Sequence, residues 1–210
     1  MVRVALVGPG GAGKTLAALR LSEALGLPPA EAKEFCELHY FLKVKRELIK
    51  VVKGFYPVVE REKCLRCNLC AAACPDKAMV RDWEGYPKSL RELCSSCASC
   101  FAACPHGALK AEEKEVAKIY KAGKAIQLEG RHLKGALKEL DSLSPEGWVL
   151  DAGRPEYALK ADLAIVLSRR DWRLPEALKQ LRFLRRNGVR AELVVADEPA
   201  EEVLRVLNHL

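Results

Sequence analysis

The sequence predicts an α/β protein in which a parallel β-sheet with helices on both faces is interrupted by a smaller, cysteine-rich α+β domain. Three observations lead to this fold class. A β-branched apolar run at the N-terminus leads directly into a glycine-rich segment. Eight of the nine cysteines lie together within residues 64–104. Beyond them, apolar strand patterns alternate with helical patterns, as is typical of a parallel sheet.

The first predicted element is a strand over Val2–Val7, which leads through a glycine-rich loop into a helix. The loop fits the phosphate-loop pattern G-x4-G-K-[ST]. In such a loop the backbone N–H groups and the lysine bind phosphate oxygens, and the threonine hydroxyl binds Mg²⁺. The order strand, loop, helix therefore predicts an ATP and Mg²⁺ site, with a glycine-rich turn that binds nothing as the alternative. Its candidate residues are Gly8, Gly10, Gly11, Ala12, Gly13, Lys14 and Thr15.

Proline and glycine residues mark the predicted ends of the next segment. Pro28-Pro29 ends one element, and residues 30–53, rich in Lys and Leu, predict a mostly helical stretch that Gly54 stops.

The cysteine-rich region contains the pattern C-x2-C-x2-C-x3-C-P twice, with the second copy thirty positions after the first. The flanks repeat too, as Ala78-Met79 and Ala108-Leu109. This is the thiolate spacing of proteins that hold two 4Fe-4S clusters, in which the fourth cysteine of each set ligates the other cluster. It predicts one cluster on Cys64, Cys67, Cys70 and Cys104 and a second on Cys94, Cys97, Cys100 and Cys74. A hairpin is expected around residues 83–86.

Two other uses of the cysteines are disulfides and zinc. The sequence begins without an apolar signal segment, so we expect a cytoplasmic protein whose thiols stay reduced. Structural zinc usually takes Cys-x2-Cys pairs separated by a longer loop, whereas here three cysteines fall within seven residues. Of the remaining candidates, Cys36 is expected to be a small buried apolar residue and His106 a turn residue near a cluster.

The last part of the chain predicts regular alternation. Strands are expected at residues 125–128, 148–150, 163–167 and 192–195, and helices at residues 132–141, 173–187 and 198–208.

Composition limits the functional classes. The 210 residues are 50% hydrophobic without a run of eighteen apolar residues, which predicts a globular core and no membrane span. Asn and Gln number five while charged residues make up 30%, a balance typical of proteins from hot environments.

The net charge is +7, and residues 58–110 carry eight Lys or Arg against six Asp or Glu. This excess of basic residues suits the cysteine-rich region to docking on an acidic redox partner, such as an acidic ferredoxin. A solvated basic surface without a specific partner is the alternative. The basic clusters at residues 43–46 and 185–186 lack interleaved aromatic residues, which argues against nucleic-acid binding.

Together these motifs resemble the MinD-type P-loop ATPases that carry an inserted ferredoxin domain, relatives of ParA, Mrp and the nitrogenase iron protein. The stretches over residues 37–43 and 148–153 are similar as well. The resemblance implies a nucleotide-binding domain over residues 1–56 and 111–210 and an inserted ferredoxin domain over residues 57–110. It also implies that Asp151, at a strand end, holds Mg²⁺ through water or senses the γ-phosphate. A solvent-facing aspartate is the alternative.

Several departures from that family bear on hydrolysis. Pro9 stands where the family has the lysine that reaches across a dimer, so the sequence does not support an ATP-sandwich homodimer. No aspartate precedes Asp76, and the expected second strand, with its water-orienting aspartate, is predicted to be replaced by Pro28-Pro29 and a helix. The segments 153–155 and 196–197 also differ, which leaves the choice of nucleotide open. We expect slow or absent hydrolysis.

Three functions are compatible with these features. One is electron transfer gated by, or coupled to, ATP binding, and it is the one we favour. The others are a plain electron-transfer protein with a non-hydrolysing P-loop domain, and an iron–sulfur assembly factor or cluster carrier.

Overall fold

The computed structural model describes residues 2–198 and 202–205. The chain divides into two compact units. The larger unit comprises Met1–Val51 and Ala117–Leu210, and the smaller comprises Val52–Val116.

The strands and helices follow one another along the chain with short connections. The strands are β1 (Val2–Val7), β2 (Pro29–Lys33), β3 (Glu47–Val59), β4 (Met79–Arg81), β5 (Pro87–Ser89), β6 (Leu109–Ala122), β7 (Ala125–Glu129), β8 (Gly147–Ala152), β9 (Leu163–Ser168) and β10 (Ala191–Val195). The helices are α1 (Lys14–Leu25), α2 (Leu38–Phe41), α3 (Leu69–Ala72), α4 (Ser99–Ala102), α5 (Leu137–Leu143) and α6 (Leu174–Arg186), with a 3₁₀ turn at Pro155–Ala158.

The main sheet is mostly parallel and has the strand order β10-β9-β1-β8-β2-β7-β6-β3. In this order, each strand from β10 to β7 is parallel to the next, and β6 is antiparallel to β7. The register sets Leu6 and Glu31 on either side of Asp151. The carboxyl ends of parallel strands meet at one edge of a sheet, which is where ligands bind in open α/β folds.

One face of this sheet is covered by α1. Its small and aliphatic residues pack on alternate positions of β1, β8 and β9, since side chains alternate between the two faces of a strand. The buried core on this face comprises Val4, Leu6, Ala12, Ala17, Ala18, Leu21, Val149, Ile165, Leu167, Val194 and Val203.

The smaller unit is built around the hairpin of β4 and β5, which confirms the turn expected at residues 83–86. The short helices α3 and α4 contact each other. Cys70, Met79 and Cys100 form its buried centre, and Val59, Phe101 and Leu109 pack around them.

The helical prediction for residues 30–53 is wrong. Residues 29–33 are the interior strand β2, hydrogen-bonded between β7 and β8. The helix α2 lasts only four residues, and β3 begins at Glu47. Gly54 lies inside that strand and does not stop a helix. The β-branched residues Ile49, Val51 and Val52 favour an extended chain once a neighbouring strand is available, and β6 supplies it.

The later elements match the predictions closely. The four expected strands are β7, β8, β9 and β10, and α6 covers the expected helix at residues 173–187. The helix α5 begins later than predicted, at Leu137. Of the helix expected at residues 198–208, residues 202–205 are helical and most of the rest lies outside the described residues. Within the described part of the chain, no helix is long and apolar enough to cross a membrane.

Candidate functional site

The two cysteine loops of the smaller unit have the same unusual backbone. Arg66 and Asn68 have φ values of 57° and 65°, and thirty positions later Ser96 and Ala98 have values of 59° and 65°. The left-handed region costs a residue with a side chain about 1–2 kcal/mol. Such strain persists only where the surroundings impose it, and it is concentrated at functional sites. The duplicated cysteine pattern is therefore a duplicated three-dimensional loop.

The first set of predicted ligands surrounds one cavity. Cys64, Cys67, Cys70 and Cys104 all line it, so the fourth cysteine of the second repeat joins the first three of the first. His106 lies in a turn at the same cavity. This is the grouping expected for cysteines that cross over between two clusters.

In the second set, Cys94 and Cys100 are buried and Cys97 is exposed. Cys74 packs against the buried cluster of Cys70, Met79 and Cys100 in the smaller unit. The backbone N–H of Ala78 donates to Cys74 Sγ at 3.2 Å, and that of Ala108 donates to Cys104 Sγ at 3.3 Å. Hydrogen bonds of this kind stabilise charge on cluster-bound sulfur.

The thiols differ in how readily they ionise. Burial raises the pKa of Cys70, and it raises the pKa of Cys100 to about 11. Partial burial acts in the same direction on Cys97, but hydrogen bonds with Ser99 and Ser95 together outweigh it and lower the pKa of that thiol. A bound metal ion deprotonates a coordinating thiol outright, so iron would hold even the buried cysteines as thiolates. The chemistry of these donors therefore fits an iron cluster.

The spacing of the side chains bears on the zinc alternative. Within residues 2–198 and 202–205, no three His, Cys, Asp or Glu side chains converge on a position for a single metal ion. Four thiolates around a cubane each bind a different iron and do not need to converge in this way.

Two residues that the sequence analysis missed support the second loop. Ser96 Oγ donates to the carbonyl oxygen of Phe55 at 2.6 Å and accepts from the Phe55 N–H at 3.0 Å. A Cβ on the neighbouring Gly54 would lie 2.6 Å from Ser96 Oγ, so the glycine makes room for this contact. Lys114 is buried and donates to the carbonyl oxygens of Arg91, at 2.7 Å, and of Cys94.

The glycine-rich loop of the larger unit borders a separate cavity of about 750 Å³. The loop lies between β1 and α1, and Gly8 has a φ of +147° with no room for a Cβ, which would stand 2.2 Å from the Leu167 carbonyl oxygen. Lys14 Nζ donates to the carbonyl oxygens of Gly8 and Pro9 at 2.9 and 3.0 Å. Burial lowers the pKa of Lys14, and the charge of Asp151 opposes this change.

Asp151 is fully buried at the end of β8, so the alternative of a solvent-facing aspartate is wrong. Its Oδ2 accepts hydrogen bonds from Thr15 Oγ1 and from Lys33 Nζ, both at 2.6 Å. Its Oδ1 is buried without a hydrogen-bond partner.

The strand β2 brings Glu31 and Lys33 to the same site. The two side chains lie on one face of the strand because they are two residues apart. Lys33 Nζ lies 3.0 Å from Glu31 Oε1 and 3.1 Å from Thr15 Oγ1. Glu31 also accepts hydrogen bonds from the N–H groups of Glu37 and Leu38 and from Gln127. The expectation that this strand is missing is therefore wrong, whereas the absence of an aspartate on it stands.

Other basic residues near the cavity escaped the sequence analysis. Arg131 and Arg154 line it, and Arg131 Nε pairs with Glu34 Oε1 at 2.6 Å. The guanidinium of Arg173 lies against the loop, 3.4 Å from where a Cβ on Gly11 would stand. No motif marks these side chains, and only the fold brings them together.

Comparison with known proteins gives a match to the cysteine-rich segment. Residues 63–109 match the family described as 4Fe-4S dicluster domain. The chain contains an iron–sulfur ferredoxin domain. Over 33 residues, 16% of this chain, it is 52% identical to pyruvate synthase subunit PorD of Pyrococcus furiosus. It is 48% identical over the same length to the PorD subunits of Pyrococcus abyssi and Pyrococcus horikoshii.

These relatives are matched only in part, since the chain spans 31% of their length. The ferredoxin domain supports a role in iron–sulfur electron transfer. Cys36 lies outside it, in the larger unit, where the thiol is buried and donates to the Leu128 carbonyl oxygen at 3.5 Å.

Proposed function

We propose that this protein transfers electrons through two 4Fe-4S clusters and that binding of a nucleotide at the glycine-rich loop modulates this transfer, with slow or absent hydrolysis. The observation that carries the proposal is the duplicated ligand loop, with Cys64, Cys67, Cys70 and Cys104 around one cavity. Cys94, Cys97, Cys100 and Cys74 are the proposed ligands of the second cluster.

Each bound cluster supplies one-electron redox chemistry. The chain holds and insulates the ligands. Cys70 and Cys100 are buried, and the N–H groups of Ala78 and Ala108 donate to the sulfur atoms of Cys74 and Cys104. Burial and such hydrogen bonds are two of the means by which proteins set cluster potentials.

The nucleotide part of the proposal rests on the larger unit. The backbone of residues 8–13, the start of α1 and Lys14 are suited to binding phosphate oxygens. Slow hydrolysis of the nucleotide is favoured for two reasons. Pro9 stands where the similar ATPases have a lysine, and β2 carries no aspartate to orient the attacking water. The strands β3 and β6 both run from one unit into the other, which offers a covalent route for coupling.

We further propose a redox partner protein in the cytoplasm. The PorD relatives are named as subunits of pyruvate synthase, which favours a partner that is an oxidoreductase. The net charge of +7 favours docking on an acidic protein, such as an acidic ferredoxin.

Metal analysis tests the cluster assignment. Protein purified without oxygen is expected to contain about eight irons and eight sulfides per chain. Cys97→Ser should remove about half of the iron, because one cluster loses a ligand. Cys36→Ser is the matched control, since this cysteine lies outside the ligand loops, and it should retain all the iron. Protein that contains only zinc, or whose cysteines are joined in disulfides, would contradict the assignment.

Electron paramagnetic resonance tests the coupling. The reduced protein is titrated with and without ATP, and we expect the nucleotide to change the midpoint potential or the spectrum of at least one cluster. In Lys14→Ala the change should be lost while the iron content stays the same. An identical titration with and without ATP would support the plain electron-transfer alternative. Rapid hydrolysis abolished by Lys14→Ala would contradict the expectation of slow turnover.

A further inference from the structure

The ammonium group of Lys33 is surrounded by three oxygen atoms at the edge of the phosphate-loop cavity. They are Asp151 Oδ2 at 2.6 Å, Glu31 Oε1 at 3.0 Å and Thr15 Oγ1 at 3.1 Å. The threonine after the loop lysine and the carboxylate at a neighbouring strand end are the two groups that hold Mg²⁺ in P-loop proteins. In this chain both contact the same lysine nitrogen.

Magnesium does not fit this arrangement. The ion requires six ligands at about 2.0–2.1 Å and gives up its water reluctantly. The Thr15 hydroxyl and Asp151 Oδ2 are already hydrogen-bonded to Lys33 and to each other, and Asp151 Oδ1 is buried without a hydrogen-bond partner. A divalent cation beside the Lys33 ammonium would also be repelled by it.

We infer that Lys33 is a built-in cation that replaces Mg²⁺, so that this site takes a nucleoside triphosphate, or a similar polyphosphate, without a divalent metal ion. The inference rests on the proposed nucleotide binding and specifies its chemistry. Lys14 and Lys33 both line the cavity and bring positive charge to it from the chain itself.

The surroundings keep Lys33 charged. Burial disfavours its charged form, but the carboxylates of Asp151 and Glu31 outweigh burial and raise its pKa. Glu31 is in turn kept ionised: burial opposes this, while Lys33 and the N–H groups of Leu38 and Glu37 lower its pKa. Because β2 lies between β7 and β8, the backbone of both residues is fixed in the interior of the sheet.

Two measurements test this inference. The first is the Kd for ATP, measured by calorimetry with Mg²⁺ and with excess EDTA. For the unmodified protein the two Kd values should agree within about twofold, whereas Lys33→Ala should bind at least about tenfold more tightly with Mg²⁺ than with EDTA. Lys138→Ala, which removes an exposed lysine on α5, is the matched control and should behave like the unmodified protein.

The second measurement uses Mg²⁺ alone and needs no nucleotide. Thermal unfolding of Lys33→Ala should shift upward by at least about 2 °C with Mg²⁺, because an ion can then take the place of the ammonium beside the Asp151 and Thr15 oxygens. The unmodified protein should show no shift.

Each failure has a distinct meaning. ATP binding by the unmodified protein only with Mg²⁺, or a Mg²⁺-induced thermal shift in that protein, would overturn the role of Lys33. A Lys33→Ala protein indifferent to Mg²⁺ would do the same. Absence of ATP binding under every condition would overturn the proposed nucleotide function, while the thermal shift would still decide whether Lys33 takes the place of the ion. If Lys33→Ala does not fold, the comparison of Mg²⁺ with EDTA in the unmodified protein decides alone.

Discussion

Lys114, on β6, places a buried basic group beside one of the two proposed clusters. Its ammonium donates to the carbonyl oxygens of Arg91 and Cys94, and its side chain is almost inaccessible to solvent. Burial lowers the pKa of Lys114, and negative charge on Cys94 opposes this change. A thiolate bound to iron therefore favours the charged lysine. The positive charge in turn stabilises the reduced cluster, which is the more negative form.

We predict that Lys114→Met lowers the midpoint potential of the cluster bound by Cys94 by tens of millivolts and leaves the other nearly unchanged. A redox titration followed by electron paramagnetic resonance measures both. Lys53→Met is the matched control, because that lysine is in the same unit with its side chain 66% exposed, where water screens its charge. Equal shifts of both midpoints, or none, would contradict the assignment of Cys94 to its own cluster.

Residues that belong to a motif can be recognised in the sequence as site candidates, and residues without a motif cannot. The cysteines repeat at fixed spacing, and Gly8 to Thr15 fit the phosphate-loop pattern. Lys33 and Lys114 are lysines in ordinary charged segments. Their environment depends on which strand lies beside them, and local sequence does not contain that information.

Among the elements, predictions held where the strand was flanked by clear breakers and was strongly apolar. The strands β8 and β9 contain runs of buried apolar residues because they lie inside the parallel part of the sheet, and β7 and β10 are mostly apolar. In contrast, β2 reads Pro-Ala-Glu-Ala-Lys, with little β-propensity. It is a strand because β7 and β8 pair with it on both sides and because Glu31 and Lys33 have polar partners outside the strand, the Glu37 N–H and Asp151.

The strand β3 was predicted as a helix for a different reason. Its first seven residues, Glu-Leu-Ile-Lys-Val-Val-Lys, intersperse charged and aliphatic residues, a composition that also occurs in helices. Pairing with β6, which the sequence places more than fifty residues later, decides in favour of the strand. Non-local pairing of this kind cannot be inferred from a short window.

Net charge is the overall property that bears most directly on how the protein would dock on a partner protein. The chain carries 35 Lys or Arg and 28 Asp or Glu. Within the smaller unit, Lys77, Arg81 and Lys88 are exposed near the cysteine loops. Such a surface accelerates encounter with an acidic protein and does so less at high ionic strength.

We predict that the rate of electron transfer to an acidic ferredoxin falls about tenfold between low salt and about 0.5 M salt. Stopped-flow mixing of the reduced protein with the oxidised partner measures this rate. Lys88→Glu should weaken the salt dependence, since it removes a positive charge and adds a negative one. Glu23→Gln, an exposed change on α1 in the larger unit, should have little effect. A rate independent of salt would count against electrostatic docking.

The lysine on β2 has one consequence beyond the binding equilibrium itself. A metal ion exchanges with the surrounding medium, so a site that depends on it responds to chelators, to competing metals and to the supply of free ion. A cation joined to the polypeptide is present at a fixed stoichiometry from the moment the sheet forms. On the proposed assignment, occupancy of this pocket reports the concentration of the nucleotide alone.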